Sequence, residues 1–110
     1  MTPYKKYLEE WEFGSYEDFL KNYKIVVPDH FNFAFDVLDE MARETPDARA
    51  LQWCNPAGEE RSFTFADISR ESGRCANMLA SLGVKRGDVV MLVLKRHYEF
   101  WFAIMALHKL

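Results

Sequence analysis

A chain of 110 residues, 49% of them apolar and with a formal net charge of −3, has the composition of a globular protein and room for one domain at most. Acidic and basic residues are interspersed, so no basic footprint for nucleic acid and no polybasic run for an anionic membrane is present, and neither partner is expected. Cys54 and Cys75 are too few and too far apart for a disulfide framework or a CxxC metal knuckle, and His30, His97 and His108 share no metal-ligand spacing with them. Reduced, buried thiols are the expectation.

The opening residues, MTPYKKYLEEWEFGSYEDF, have no apolar run of signal-peptide type and carry acids early, unlike an Arg-rich transit peptide. The longest apolar stretch, Tyr98 to Leu107, is interrupted by Glu99 and falls short of the ~20 residues that span a bilayer. A soluble, cytoplasmic protein with no membrane span is the resulting expectation. Up to Val27 the aromatics Tyr4, Tyr7, Trp11, Phe13, Tyr16, Phe19 and Tyr23 stand among charges. Ser15 can cap a short helix with Asp18 three residues on, and Phe19, Leu20 and Tyr23 then share a face. Residues 1–30 read as an N-terminal helical lid, a surface helix pair packing its aromatics on the body that follows rather than an aromatic ligand cage.

From Asp36, the apolar positions Val37, Leu38, Met41 and Ala42 fall at helical spacing, and Thr45-Pro46 stops that helix because the residue before a proline leaves the α region. Ala50 to Cys54 is a short strand, Asn55-Pro56-Ala57-Gly58 is turn chemistry, and Ser62 to Phe65 alternates as the returning strand of a hairpin. Thr64 is a candidate N-cap with Asp67 three positions later. Phe65, Ile68, Ser72, Cys75, Ala76, Leu79 and Leu82 then form one helical stripe, closed by Gly83. Lys85-Arg86-Gly87-Asp88 turns the chain into Val89-Val90-Met91-Leu92-Val93-Leu94. That run does not alternate, which predicts a strand covered on both faces in a parallel sheet. The helix from Phe100 to Leu107 is apolar almost all round and is expected inside a larger core, with Trp101, Phe102 and Ile104 uncovered if this chain stands alone. The fold class expected is therefore α/β: amphipathic helices, a β-hairpin and the start of a parallel βαβ unit, incomplete because no returning strand follows.

Little chemistry is legible. Arg86-Gly87-Asp88 spells an adhesion tripeptide but sits in a turn that opens a buried strand. Ser72-Gly73-Arg74 and the Gly83 and Gly87 stretch lack the GxGxxG or GxxxxGKS/T spacing that cradles phosphate. His97 and Glu99 lie where a parallel strand meets a helix, the edge at which α/β proteins place ligands, but a lone His with a nearby acid is more often a capping or solvated pair. Arg96 is read with the same restraint, as a partner for a carboxylate elsewhere. No nucleophile, base and orienting acid stand at readable spacing, so no catalytic, cofactor-binding or metal residue is assigned.

Several blocks in register nevertheless resemble a family. Phe31-Asn32-Phe33-Ala34 with Asp36-Val37-Leu38-Asp39, Pro46-Asp47 with Ala50-Leu51, and Phe63-Thr64-Phe65-Ala66-Asp67-Ile68 are similar to the N-terminal region of AMP-forming acyl-CoA synthetases. Ala76-Asn77-Met78-Leu79 with Leu82-Gly83-Val84-Lys85-Arg86-Gly87-Asp88-Val89-Val90 resembles that family's "AN.L..LGV..GD.V", and Arg96 with Glu99-Phe100-Trp101 resembles its "R.PEWW". The opening segment is most similar to the medium-chain branch. The resemblance covers about Asn32 to Leu110, and Tyr98 departs from it where the family often has a proline as the first helical residue.

The resemblance implies that residues 31–110 are the first part of the AMP-binding N-terminal domain, truncated at Leu107-His108-Lys109-Leu110. The phosphate loop, adenine and ribose contacts and lid lysine of the family have no counterpart among these residues. It implies for the parent protein an ATP-dependent acid–CoA ligase, turning a small carboxylic acid, ATP and coenzyme A into acyl-CoA, AMP and pyrophosphate with magnesium on the phosphates, and for this chain alone no activity and no cofactor. The missing C-terminal remainder is then the expected partner. The alternative is a non-catalytic truncated product, or a small module that buries its apolar C-terminal helix on a partner.

Overall fold

A computed structural model describes residues 3–110 and divides the chain into two compact units, the first ending at Phe31 and the second running Asn32–Leu110. Met1 and Thr2 of the expected lid, and the side chain of Tyr4, lie outside the described residues.

In the first unit a 3-10 turn, Pro3–Tyr7, precedes one short helix, α1 (Tyr16–Asn22), in place of the expected helix pair. The Ser15 hydroxyl accepts from Asp18 N at 3.1 Å, and the Asp18 carboxylate accepts from Gly14 N at 2.9 Å and from Asn22 Nδ2 at 2.6 Å. These bonds favour the ionised form and hold the Asp18 carboxyl below its ordinary value, the Gly14 amide contributing most. A single antiparallel bridge, Leu8 to Ile25, closes the unit, with Val26 N donating to Tyr7 O at 2.8 Å. The aromatics pack on one another: Phe13 meets Phe19 edge-on at 5.3 Å, and Tyr7 meets Phe31 at 5.3 Å.

The second unit combines helices with a two-stranded antiparallel hairpin, a partial α/β arrangement. Its first helix, α2, begins in π geometry over Ala34–Asp39 and continues as an α-helix over Glu40–Glu44. Asn32 organises its start: the backbone N–H donates to Asp36 Oδ2 at 2.7 Å, and the side-chain oxygen accepts from Ala34 N at 3.0 Å. The hairpin pairs β1 (Arg49–Cys54) with β2 (Glu60–Thr64), Trp53 opposite Arg61, with an irregularity in register between Arg49 and Leu51. Its turn is closed by Gly58, whose φ of 82° only glycine takes without strain, and by Asn55 Oδ1 accepting from Glu59 N at 3.0 Å. Leu51, Trp53 and Phe63 face inward at period two, whereas Cys54 is exposed. The expectation of two buried thiols is corrected accordingly: a lone hairpin has one solvated face, and Cys54 is on it.

Helix α3 (Phe65–Ser81) starts in a reciprocal capping box. Thr64 Oγ1 accepts from Asp67 N at 3.2 Å, and Asp67 Oδ2 accepts from Thr64 N at 3.0 Å. It ends in a Schellman motif, Val84 N donating to Leu79 O at 3.1 Å and Gly83 N to Ala80 O at 3.0 Å, with Gly83 at φ 94°. The stripe expected from sequence buries Ile68, Ser72 and Ala76, but Leu82, the last of it, is 74% exposed because the helix has already closed. Helix α4 (Glu99–Lys109) packs against α3, and small buried residues on both, Ser72, Ala76 and Ala106, let the axes approach. The core joins Ala34 and Leu38 of α2, Ile68 of α3 and Met105 of α4, with Leu51, Phe63, Phe102 and Ile104 packed against it.

Two expectations are corrected here. Val89–Leu94 forms no strand and no parallel βαβ unit: it carries no regular secondary structure, and none of its backbone groups pairs with another described residue. A parallel strand needs a neighbour to accept its ladder, and the hairpin supplies none. Val89, Met91 and Val93 are 98%, 86% and 82% exposed, while Val90 and Leu92 are half-buried. Helix α4, by contrast, needs less outside cover than its composition suggests. Phe102 and Ile104 are packed by α2, α3 and the hairpin of this same chain, and Trp101 alone of the three is left largely open.

Candidate functional site

The residues singled out between Val89 and α4 converge on one corner of the second unit. Arg96 takes φ 55°, a left-handed conformation uncommon for a side chain with a Cβ, and its carbonyl accepts the Trp53 indole Nε1–H at 2.6 Å. This bond ties the turn before α4 to β1. The next carbonyls start the helix, His97 O accepting from Phe100 N at 3.2 Å and Tyr98 O from Trp101 N at 3.0 Å. Tyr98, whose departure from proline removes a helix-start signal, instead inserts its ring between Trp53 at 5.3 Å and Phe63 at 5.0 Å, with Phe102 beyond at 5.8 Å.

On one side of this aromatic cluster lies a shallow depression of about 560 Å³, lined by Trp53, Asn55, Glu59, Arg61, His97 and Glu99 among others. On the other lies a second of about 530 Å³ over Leu51, Cys54, Leu94, Arg96 and Trp101. His97 and Glu99 are exposed, and among the described residues no hydrogen bond or ion pair joins them or engages the Arg96 guanidinium. Groups so placed contribute a rim, not a proton relay: general acid–base work needs the partners within hydrogen-bond reach. Among the described residues no group of three or more His, Cys, Asp or Glu could hold a metal ion. The glycines play backbone parts: Gly73 lies within α3, Gly83 ends it, and Gly87, at φ 90°, makes the Lys85 to Asp88 turn, where Lys85 N donates to Asp88 Oδ2 at 2.9 Å. Arg86 and Asp88 of the tripeptide belong to this turn.

The polar network that the sequence did not disclose sits at the other end of α4. Asp39 Oδ1 accepts from Ser69 Oγ at 2.7 Å and from Lys109 Nζ at 2.9 Å, and Lys109 also donates to Ser69 O at 3.3 Å. Asn32 Nδ2 donates to His108 O at 2.6 Å, so the end of α4 is held both to the residue leading into α2 and, through Asp39, to the middle of that helix. Pairs separated by 70 and 76 residues leave no periodic signal. Burial pushes the Cys75 thiol up, which makes it a poor nucleophile.

Comparison with known proteins gives this scaffold its place. Residues 38–110 match the family described as AMP-binding enzyme, and the chain belongs to that family. It is 38% identical over 100 residues, 86% of its length, to human acyl-coenzyme A synthetase ACSM3, mitochondrial. It is 42% identical over 86 residues to rat acyl-coenzyme A synthetase ACSM5, mitochondrial, and 41% identical over 85 residues to human acyl-coenzyme A synthetase ACSM2A, mitochondrial. These alignments take in 73% and 72% of the chain respectively. The chain spans 17% of the length of the first of these relatives and 15% of the other two. All three names carry the word mitochondrial, which overturns the expectation of a cytoplasmic protein. The physical reason is that compartment is set by receptor-read addresses, about which the charge and packing of a core domain say nothing. No described helix is long and apolar enough to cross a membrane.

Proposed function

We propose that the whole protein to which these residues contribute is an ATP-dependent acid–CoA ligase, joining a small carboxylic acid to coenzyme A by way of an acyl-adenylate with release of pyrophosphate and AMP. The observation that carries this reading is the family match over residues 38–110 together with 38% identity to an acyl-coenzyme A synthetase. Magnesium, when bound, would neutralise the phosphate charge during adenylate formation, and its ligands belong to other parts of such a protein. In this reading residues 31–110 are the first part of the AMP-binding domain and residues 1–30 a lid before it. Their contribution is a scaffold: the Asn32, Asp39 and Lys109 ties fix α2, α3 and α4 as one block, and the Trp53 bond sets the direction in which the chain passes from Leu94 to α4. Val89–Leu94, both of whose edges are unpaired among the described residues, is the segment that a parallel sheet of the longer protein would take up.

Acid-dependent exchange of pyrophosphate into ATP, measured on the full-length protein over acids from acetate to octanoate and benzoate, tests the reading. Exchange with at least one acid is the expected result, and no exchange with any acid from a well-folded protein overturns it.

A further inference from the structure

Among the described residues, left-handed φ values fall on Gly58 at 82°, Gly83 at 94°, Gly87 at 90° and Arg96 at 55°. Each glycine closes a turn or a helix end without strain, because it has no Cβ to meet the following carbonyl oxygen. Arg96 has one. Its turn, Lys95-Arg96-His97-Tyr98, also lacks the Gly, Pro, Asn or Asp that would favour such a conformation locally.

What holds the turn comes from 43 residues away, where Trp53 Nε1–H donates to the Arg96 carbonyl at 2.6 Å. The indole is itself fixed: it stands on β1, edge-on to the Tyr98 ring at 5.3 Å, and Tyr98 packs in turn on Phe63 and Phe102. A carbonyl can be satisfied by any donor, water included, so what the indole adds is geometry. A right-handed Arg96 would rotate its peptide plane away from β1 and break the bond. The same dihedral sets the angle at which the chain leaves Leu94 for α4, and with it the directions of the Arg96 and His97 side chains.

We infer that Trp53 is a positioning residue, whose indole N–H selects the left-handed conformation of Arg96 and so fixes how Arg96 and His97 leave the carboxyl end of Val89–Leu94. Strained non-glycine residues persist where their surroundings over-determine them and gather at ligand sites. In the ligase reading, on which this step rests, that end is the edge of a parallel sheet at which α/β proteins hold ligands, so the turn bears on adenylate formation as well as on local structure.

Trp53→Phe, Arg96→Gly and the two combined, each made in the full-length protein and checked for folding by circular dichroism, test the inference. Phenylalanine keeps a ring beside Tyr98 and removes the donor, whereas glycine takes the left-handed φ unaided. The first readout is hydrogen exchange of the Phe100 and Trp101 amides, which donate to His97 O and Tyr98 O at 3.2 and 3.0 Å when the turn is closed. Trp53→Phe is expected to speed their exchange about fivefold in the native background and less than about twofold when added to Arg96→Gly. No acceleration, or equal acceleration in both backgrounds, overturns the inference, because an anchor that merely ties β1 to α4 would act alike in both. The second readout is acid-dependent pyrophosphate exchange, which Trp53→Phe should lower at least about threefold alone and less than about twofold when added to Arg96→Gly. A rate left at the native value while the amides loosen confines Trp53 to local structure and overturns its positioning role. Should the native protein exchange no pyrophosphate with any acid, the ligase reading falls, and the hydrogen-exchange cycle, which needs no substrate, still decides whether Trp53 holds the turn.

Discussion

Thr64 and Asp67 show how much one local constellation does. Directly at the end of β2, the chain must satisfy the first free amides of α3, and the reciprocal box does so with bonds at 3.0 and 3.2 Å. Thr64→Ala is expected to cost about 1 kcal/mol, a fall of roughly 4–8 °C in the melting temperature of a unit of this size. The Thr64 amide, more than the Arg70 guanidinium at 2.7 Å, holds the Asp67 carboxyl below its ordinary value of 3.8. A depressed carboxyl contributes stability that is complete above its unfolded value and disappears as pH falls through the folded one. Thermal melts should therefore be flat with respect to this group above about pH 5 and decline below 3.8, and Asp67→Asn should remove part of that decline. At Arg96 the left-handed φ of 55° has the opposite sign of effect. Arg96→Gly relieves a conformation that costs a Cβ-bearing residue about 1 kcal/mol, so the melt should rise slightly, provided the Trp53 bond to the carbonyl survives, which tryptophan emission would report.

Between elements, the Asp39, Ser69 and Lys109 network staples α2, α3 and α4. Lys109 is only 10% exposed and Asp39 26%, so removing the lysine leaves a half-buried carboxylate with one hydroxyl for company. Lys109→Met should destabilise by about 1–3 kcal/mol in chemical denaturation, and Asp39→Asn combined with it should recover part of the loss because the unpaired charge is gone. Recovery of nothing would mean that the lysine stem, rather than its charge, matters. Where α3 and α4 meet, Ala106 is fully buried, and Ala106→Leu should cost about 1–3 kcal/mol by overfilling the contact.

For the whole molecule, the uncovered surface decides the behaviour. Val89, Met91, Val93 and Trp101 keep large apolar area in water that would otherwise contribute roughly 1.5–3 kcal/mol for each large side chain buried. The 110-residue chain should bind a dye specific for exposed apolar surface, and Met91→Lys combined with Val93→Lys should lower that signal. Calorimetric titration with Mg-ATP should show no saturable micromolar binding to this chain, since neither depression gathers the backbone donors and cations that hold phosphate.

The sequence by itself determined the elements whose causes are local. The cap at Thr64, the glycine stop at Gly83, the Asn55 to Gly58 turn and the proline that ends α2 each act within a few residues, and their spacing could be read directly. Blocks in register from Asn32 onward likewise pointed to the family over residues 38–110. Only the tertiary structure decided which apolar run is covered. Composition ranks Val89–Leu94 and α4 alike, yet α4 satisfies its own backbone and needs only side-chain cover, which α2, α3 and the hairpin provide. A strand satisfies its backbone solely through a neighbour, and with the hairpin already paired to itself none is present among the described residues, so Val89–Leu94 lies open while the helix beside it is packed.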